Sequence, residues 1–128
     1  AAGIDGVILS KGYVDVYNPK VLRATMGSIF RMPVYYTQSV VETIKFLNSK
    51  KIKVCAAHLK GNQSYFDLDM RCNTAILIGN EANGISDESA SNANSLVKIP
   101  MLGRAESLNA SVAASILMYE TVRQRLSM

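Results

Sequence analysis

IPMLGRAESLNASVAASILMYE, residues 99 to 120, leaves an apolar strand, crosses a loop containing Gly103 and runs into a helix. Ser107 is a natural N-cap for that helix. Asn109, expected in its first turn, is harder to explain by capping. Its amide can both donate and accept toward something lying in front of the helix. Pro100 to Glu106 is long enough to fold over a ligand.

Working upstream, ILIGNEANGIS, residues 76 to 86, repeats the pattern: an apolar strand opens onto a polar loop bracketed by Gly79 and Gly84. Two strand ends that deliver polar side chains and free backbone groups read as two walls of one small-molecule pocket. Gly79 reads either as a turn residue needed for backbone geometry or as a position kept bare for a close ligand. Glu81 offers a carboxylate at the rim. The loop is neither a P-loop nor a GxGxxG turn, since no GK[ST] follows and the glycine spacing is wrong.

The remaining chain alternates strands and helices, predicting an α/β domain with a mostly parallel sheet and helices on both faces. Val7–Leu9, Met32–Tyr36, Ile52–Ala57, Thr74–Ile78 and Leu96–Ile99 read as strands. Asn18-Pro19 starts a first helix, with Pro at the position whose N–H needs no partner. Leu22, Met26 and Ile29 recur on its buried side, and Lys20 and Arg23 lie off that stripe. Whether those two cations are a solvated face or phosphate contacts is left open by the pattern. Ser39 and Glu42 form a capping box for a second helix, whose buried stripe is Val40, Ile44 and Leu47. Gly61–Asp69 is a polar, turn-rich segment anchored by Tyr65 and Phe66. Thr74–Ile78 is nearly all apolar, as expected of a strand covered on both faces. Ser86 or Asp87 opens a short helix. The last helix is predicted over Ser107 to about Arg125, its small apolar first half packed deepest. Arg123 and Arg125 suit its negative C-terminal pole. Ala1-Ala2-Gly3 reads as the end of a helix capped by Gly3, as if the chain began inside a domain.

Composition bounds the classes. The 128 residues are 48% hydrophobic and 19% charged with three prolines, which is globular rather than disordered. No apolar run is as long as a membrane span, and the N-terminal residues lack the basic region of a signal peptide. One histidine and two cysteines without a CxxC argue against zinc. His58, ending an apolar strand without a partner, reads as structural. Cys55 and Cys72 are expected as two buried reduced thiols, with a disulfide the alternative. The formal charge of +4 is a mild bias toward polyanions.

Three segments taken together, NPKVLRATMGSIFRMPV (18–34), ILIGNEANGIS (76–86) and IPMLGRAESLNASVAASILMYETVRQR (99–125), resemble the SpoU (TrmH-type) RNA 2′-O-ribose methyltransferases of the SPOUT superfamily. The resemblance spans nearly the whole chain and implies a deep C-terminal trefoil knot, an exception to the rarity of knots. It also implies S-adenosyl-L-methionine as cofactor, transfer of its methyl group to a ribose 2′-OH of rRNA or, as second choice, tRNA, a homodimer using the last helix, and a cytoplasmic location without membrane or metal. Ile78, Gly79, Ile99, Met101 and Leu108 would hold the cofactor. Glu81, Ser107 and Asn109 would shape the catalytic site, and Lys20 and Arg23 would meet RNA.

One departure carries weight. The family's first motif, N-x-G-x-x-x-R-T, precedes the AAG with which this chain opens, and its arginine is not among these residues. The chain is therefore expected to be a single methyltransferase domain, 1–128, shortened at its N-terminus. Two rivals remain at this stage: a knotted cofactor- or RNA-binding dimer without activity in this shortened form, and a generic nucleotide-binding α/β domain.

Overall fold

The computed structural model describes residues 1–12 and 15–128. Two compact units emerge, Gly3–Val40 and Val41–Met128.

In the first unit, β1 (Val7–Ser10) and β2 (Val34–Thr37) pair in parallel, with Ile8 beside Tyr35 and Leu9 beside Tyr36. A parallel pair needs a crossover, and α1 (Pro19–Thr25) supplies it. Asn18 caps α1 through Oδ1, which accepts from the Lys20 N–H at 2.9 Å, and Pro19 opens the helix. The helix stops because Met26 (φ 49°) and Gly27 (φ 82°) are both left-handed. A 3₁₀ turn, Ser28–Phe30, follows. Met26 is therefore not on a buried stripe with Leu22 and Ile29. It stands 87% exposed, because the helical periodicity ends one residue before it.

The second unit contains α2 (Val40–Ser49), β3 (Lys53–Ala57), β4 (Gln63–Ser64), β5 (Thr74–Leu77), α3 (Asp87–Asn92), β6 (Ser95–Lys98) and α4 (Ala110–Leu126). Its four strands are all parallel, in the order β4-β6-β3-β5. The mostly parallel α/β architecture is thus as expected, divided between a two-stranded and a four-stranded sheet. The central β3 buries Val54, Cys55 and Ala56. Cys55 joins Met70, Val97 and Leu117 in the core, and Ile76, Ile78 and Ile99 pack against it. Ile44 is the buried residue of α2, with Val40 and Leu47 half-buried beside it in the sequence stripe.

Several expectations are corrected here. The two-residue strand β4 lies inside the segment read as turns, since Gln63-Ser64 offers no alternation of apolar and polar residues. β5 is an edge strand with every residue half-buried, not one fully enclosed. Tyr65 packs against the core as an anchor, whereas Phe66 is 63% exposed. Both cysteines are free thiols, but only Cys55 is buried. His58 closes the turn after β3: its Nδ1 accepts from the Lys60 N–H at 3.1 Å and its own N–H donates to Val97 O at 2.8 Å.

The last helix differs most. It starts at Ala110, and Asn109 rather than Ser107 is its N-cap, with Oδ1 accepting from the Ser111 N–H at 2.9 Å. Its deepest residues are Leu117 and Glu120, at its middle and beyond rather than among the small residues of its first two turns. The last turns grip the chain before β5. Gln124 accepts from the Met70 N–H at 2.8 Å and donates to Leu68 O at 2.8 Å. Arg125 donates to Cys72 O at 2.9 Å. The Glu120 carboxylate in turn accepts from Arg123 and from Gln124 Nε2. No helix among the described residues is long and apolar enough to cross a membrane.

Candidate active site

β5 and β6 lie on either side of β3 and run the same way, so both chains leave the sheet at its carboxyl edge. The register sets Leu77 beside Ala56 and Val97 beside Ala57. Ile78-Gly79 and Ile99-Pro100 therefore emerge at neighbouring heights, with Ile78 and Ile99 packed on the same core. This is the edge at which open α/β sheets hold ligands.

The loop after β5 is built on a close backbone approach. A Cβ on Gly79 would stand 2.4 Å from Gly84 C and 2.6 Å from Ile85 N. The missing side chain is thus used by the loop's own backbone. Asn80 closes the turn: its carbonyl accepts from the Gly84 N–H at 3.0 Å and its Oδ1 from the Asn83 N–H at 2.6 Å. Gly84 has φ +64°, which glycine adopts without strain. This fold-back presents Glu81 at the surface, and Glu81 Oε1 accepts from Asn109 Nδ2 at 2.9 Å. Two residues 28 positions apart in sequence are thereby joined, one from each wall.

The other wall is the chain from Pro100 to Leu108. It has no regular secondary structure, and among the described residues its backbone makes no backbone–backbone hydrogen bond. Its amides and carbonyls are left to water or a ligand. Met101 is half-buried, Leu108 is 36% exposed and Leu102 is fully open. Ser107 is exposed two residues ahead of the cap, and the structure gives it no hydrogen bond that joins it to Glu81 and Asn109. Lys20 and Arg23 belong to the first unit, both exposed on α1, where Arg23 Nε donates back to Pro19 O at 3.3 Å.

The structure thus joins Glu81 to Asn109 directly and sets Ile78, Gly79 and Ile99 at one sheet edge. The sequence reading missed Asn80, although an Asn opening a Gly-closed turn is a recognisable signal. Among the described residues no group of three or more His, Cys, Asp or Glu side chains could hold a metal.

The profile of the SpoU rRNA Methylase family matches residues 1–119, and the chain belongs to that family. It is 36% identical over 132 residues to a 23S rRNA (uridine(2479)-2′-O)-methyltransferase of Streptomyces viridochromogenes, covering 99% of this chain and 46% of that protein. It is also 36% identical to a TrmH family tRNA/rRNA methyltransferase of Staphylococcus aureus, over 98% of this chain and 50% of the relative. Its structure superposes with a TM-score of 0.91 on the SpoU methyltransferase AviRb from Streptomyces viridochromogenes, solved in complex with the cofactor AdoMet. That comparison has 36% identity and covers 99% of this chain and 52% of AviRb. The chain spans about half the length of the curated relatives it matches.

Proposed function

We propose that this chain is the catalytic domain of an S-adenosylmethionine-dependent methyltransferase acting on a ribose 2′-OH of RNA, rRNA before tRNA. The Glu81–Asn109 hydrogen bond at the carboxyl edge of a parallel sheet carries the reading, because it welds the two loops into one site. The residues present suit the cofactor. Ile78, Ile99, Met101 and Leu108 offer apolar surface for a purine and a thioether-like chain. The unpaired backbone of Pro100–Leu108 offers donors and acceptors for the edges of an adenine and an amino acid. Gly79 belongs to the same cradle through its backbone rather than through empty space.

When bound, S-adenosylmethionine supplies an electrophilic methyl group. The chain's own residues then position. Asn109, fixed by capping α4 with its oxygen, holds Glu81 with its nitrogen. Glu81 is exposed, and its carboxylate orients a cation or a ribose hydroxyl. Ser107 lies on the loop that would close over the reacting groups. Alignment of this kind accounts for roughly 7–11 kcal/mol of barrier lowering in well-oriented reactions. Lys20 and Arg23 meet RNA phosphates.

The proposal includes a homodimer. Val112, Tyr119 and Leu126 recur every seven residues on α4 and are 46%, 53% and 82% exposed, an apolar seam suited to a second copy. It also includes threading of the C-terminal segment as a trefoil knot and a cytoplasmic setting.

The test is methyl transfer from labelled S-adenosylmethionine to RNA by the full-length protein, followed by alkaline hydrolysis. A 2′-O-methyl group blocks cleavage, so label is expected in alkali-resistant dinucleotides. Label recovered only in mononucleotides, or failure of the folded protein to bind S-adenosylhomocysteine, would overturn the assignment.

A further inference from the structure

The first unit presents an aromatic surface that the methyl-transfer site does not use. Phe30 ends the 3₁₀ turn and is 73% exposed, yet its backbone is not loose. Its N–H donates to Gly27 O at 3.2 Å, and the next two N–H groups, of Arg31 and Met32, both donate to Ser28 O at 3.0 Å. Just before the turn, Met26 holds a left-handed conformation that Gly or Asn would adopt more easily, and spends it on an 87% exposed thioether. Two large apolar side chains thus stand in water on a backbone fixed by its own hydrogen bonds, which the core does not require.

Along the chain between Asp15 and Glu42 the charge has one sign. From Val16 to Val41 the sequence contains Lys20, Arg23 and Arg31 and no acidic residue. All three cations are exposed, and none forms an ion pair among the described residues. A protein partner with an ordinary mixed surface would meet some acid here. A polyanion with flat apolar groups is the complementary chemistry.

We infer that Phe30, four residues after Met26 in the chain, is a stacking platform for an unpaired RNA base, and that Lys20, Arg23 and Arg31 hold the flanking phosphates. The inference rests on RNA being the substrate and adds how the strand is gripped: by base stacking on the first unit, without sequence readout. Unpaired RNA is preferred over duplex, because only an unstacked base can cover the ring.

The experiment uses the whole chain and a short single-stranded RNA carrying 2-aminopurine, whose fluorescence falls on stacking. Phe30→Ala should weaken binding roughly 5- to 100-fold and abolish the quench, while Phe30→Tyr keeps both. Lys20→Ala and Arg31→Ala should each flatten the salt dependence by about 0.7 in log–log slope, with the quench retained at low salt. Met26→Gly should raise stability and still lower RNA affinity, which separates contact from folding. If Phe30→Ala binds and quenches as the parent does, the platform is wrong while RNA as substrate stands. If the parent binds no RNA, the functional reading falls and takes the platform with it. If Phe30→Ala changes only the sedimentation of the protein, the surface is a protein contact and the inference is overturned.

Discussion

Asn109 Nδ2 donates to Glu81 Oε1 over 2.9 Å, while Asn109 Oδ1 caps α4 by accepting from the Ser111 N–H. One side chain therefore starts the last helix and ties it to the loop after β5. The two duties can be separated. Asn109→Asp keeps the capping oxygen but loses the donor and sets two carboxylates together. We expect its melting temperature to stay close to the parent's, while single-turnover methyl transfer by the full-length protein falls roughly 10²-fold. Asn109→Ala should lose the cap as well, at about 0.5–2 kcal/mol of stability. An Asp variant with full rate would show that the bond to Glu81 does nothing for catalysis.

Gly79 and Gly103 should respond oppositely to alanine. A Cβ on Gly79 meets the backbone of Gly84 and Ile85 well inside contact distance, whereas one on Gly103 meets nothing within 4 Å. Gly79→Ala is expected to cost about 1–3 kcal/mol in urea unfolding, since backbone has to shift. Gly103→Ala should be neutral or gain up to about 1 kcal/mol by narrowing the unfolded ensemble. Equal stabilities for the two variants would contradict the close approach.

Acid should loosen the grip of α4 through Glu120. This carboxylate is 8% exposed, and the hydrogen bond from Arg123, then that from Gln124, holds it below the usual carboxylate range. A lowered folded value stabilises the protein above the unfolded value, about 4.3, and the gain is lost as pH falls through the folded value. Asp69 is lowered in the same direction by Arg71, but that exposed pair contributes little because water screens it. Stability measured from neutral pH into acid should fall less steeply for Glu120→Gln than for the parent. Parallel curves would remove Glu120 from the acid response.

The two thiols should be kinetically distinct. Burial pushes the Cys55 thiol up to about 12, while Cys72 lies at the surface before β5. At mildly alkaline pH a chromogenic disulfide reagent should label one thiol rapidly in the native protein and the second only on unfolding, because the thiolate is the reactive form. Rapid labelling of both would mean that the β3 core opens readily.

Much of the scaffold was legible in the sequence. Asn18-Pro19, Ser86 and the apolar runs of β3, β5 and β6 are local signals, since capping and strand formation depend on neighbours within a few residues. The parallel arrangement followed from strands alternating with helices. Less legible were features set by approach from afar. Asn109 rather than Ser107 caps α4, and its amide nitrogen donates to Glu81 from 28 positions away. β4 is a strand because β6 lies beside it, with no pattern of its own.

The residue types of the site, Gly79, Glu81 and Asn109, and the strand ends that carry them were determined by the chain's own order. Only the tertiary structure decided that Asn109 reaches Glu81, that the bareness of Gly79 is filled by the chain's own backbone, and that Met26 and Phe30 stand in water. Local propensity acts over a single turn, whereas the Asn109–Glu81 bond joins segments 28 positions apart whose separation is fixed by sheet register and core packing, and the Gly79 and Met26 outcomes turn on how the backbone folds back within a few residues.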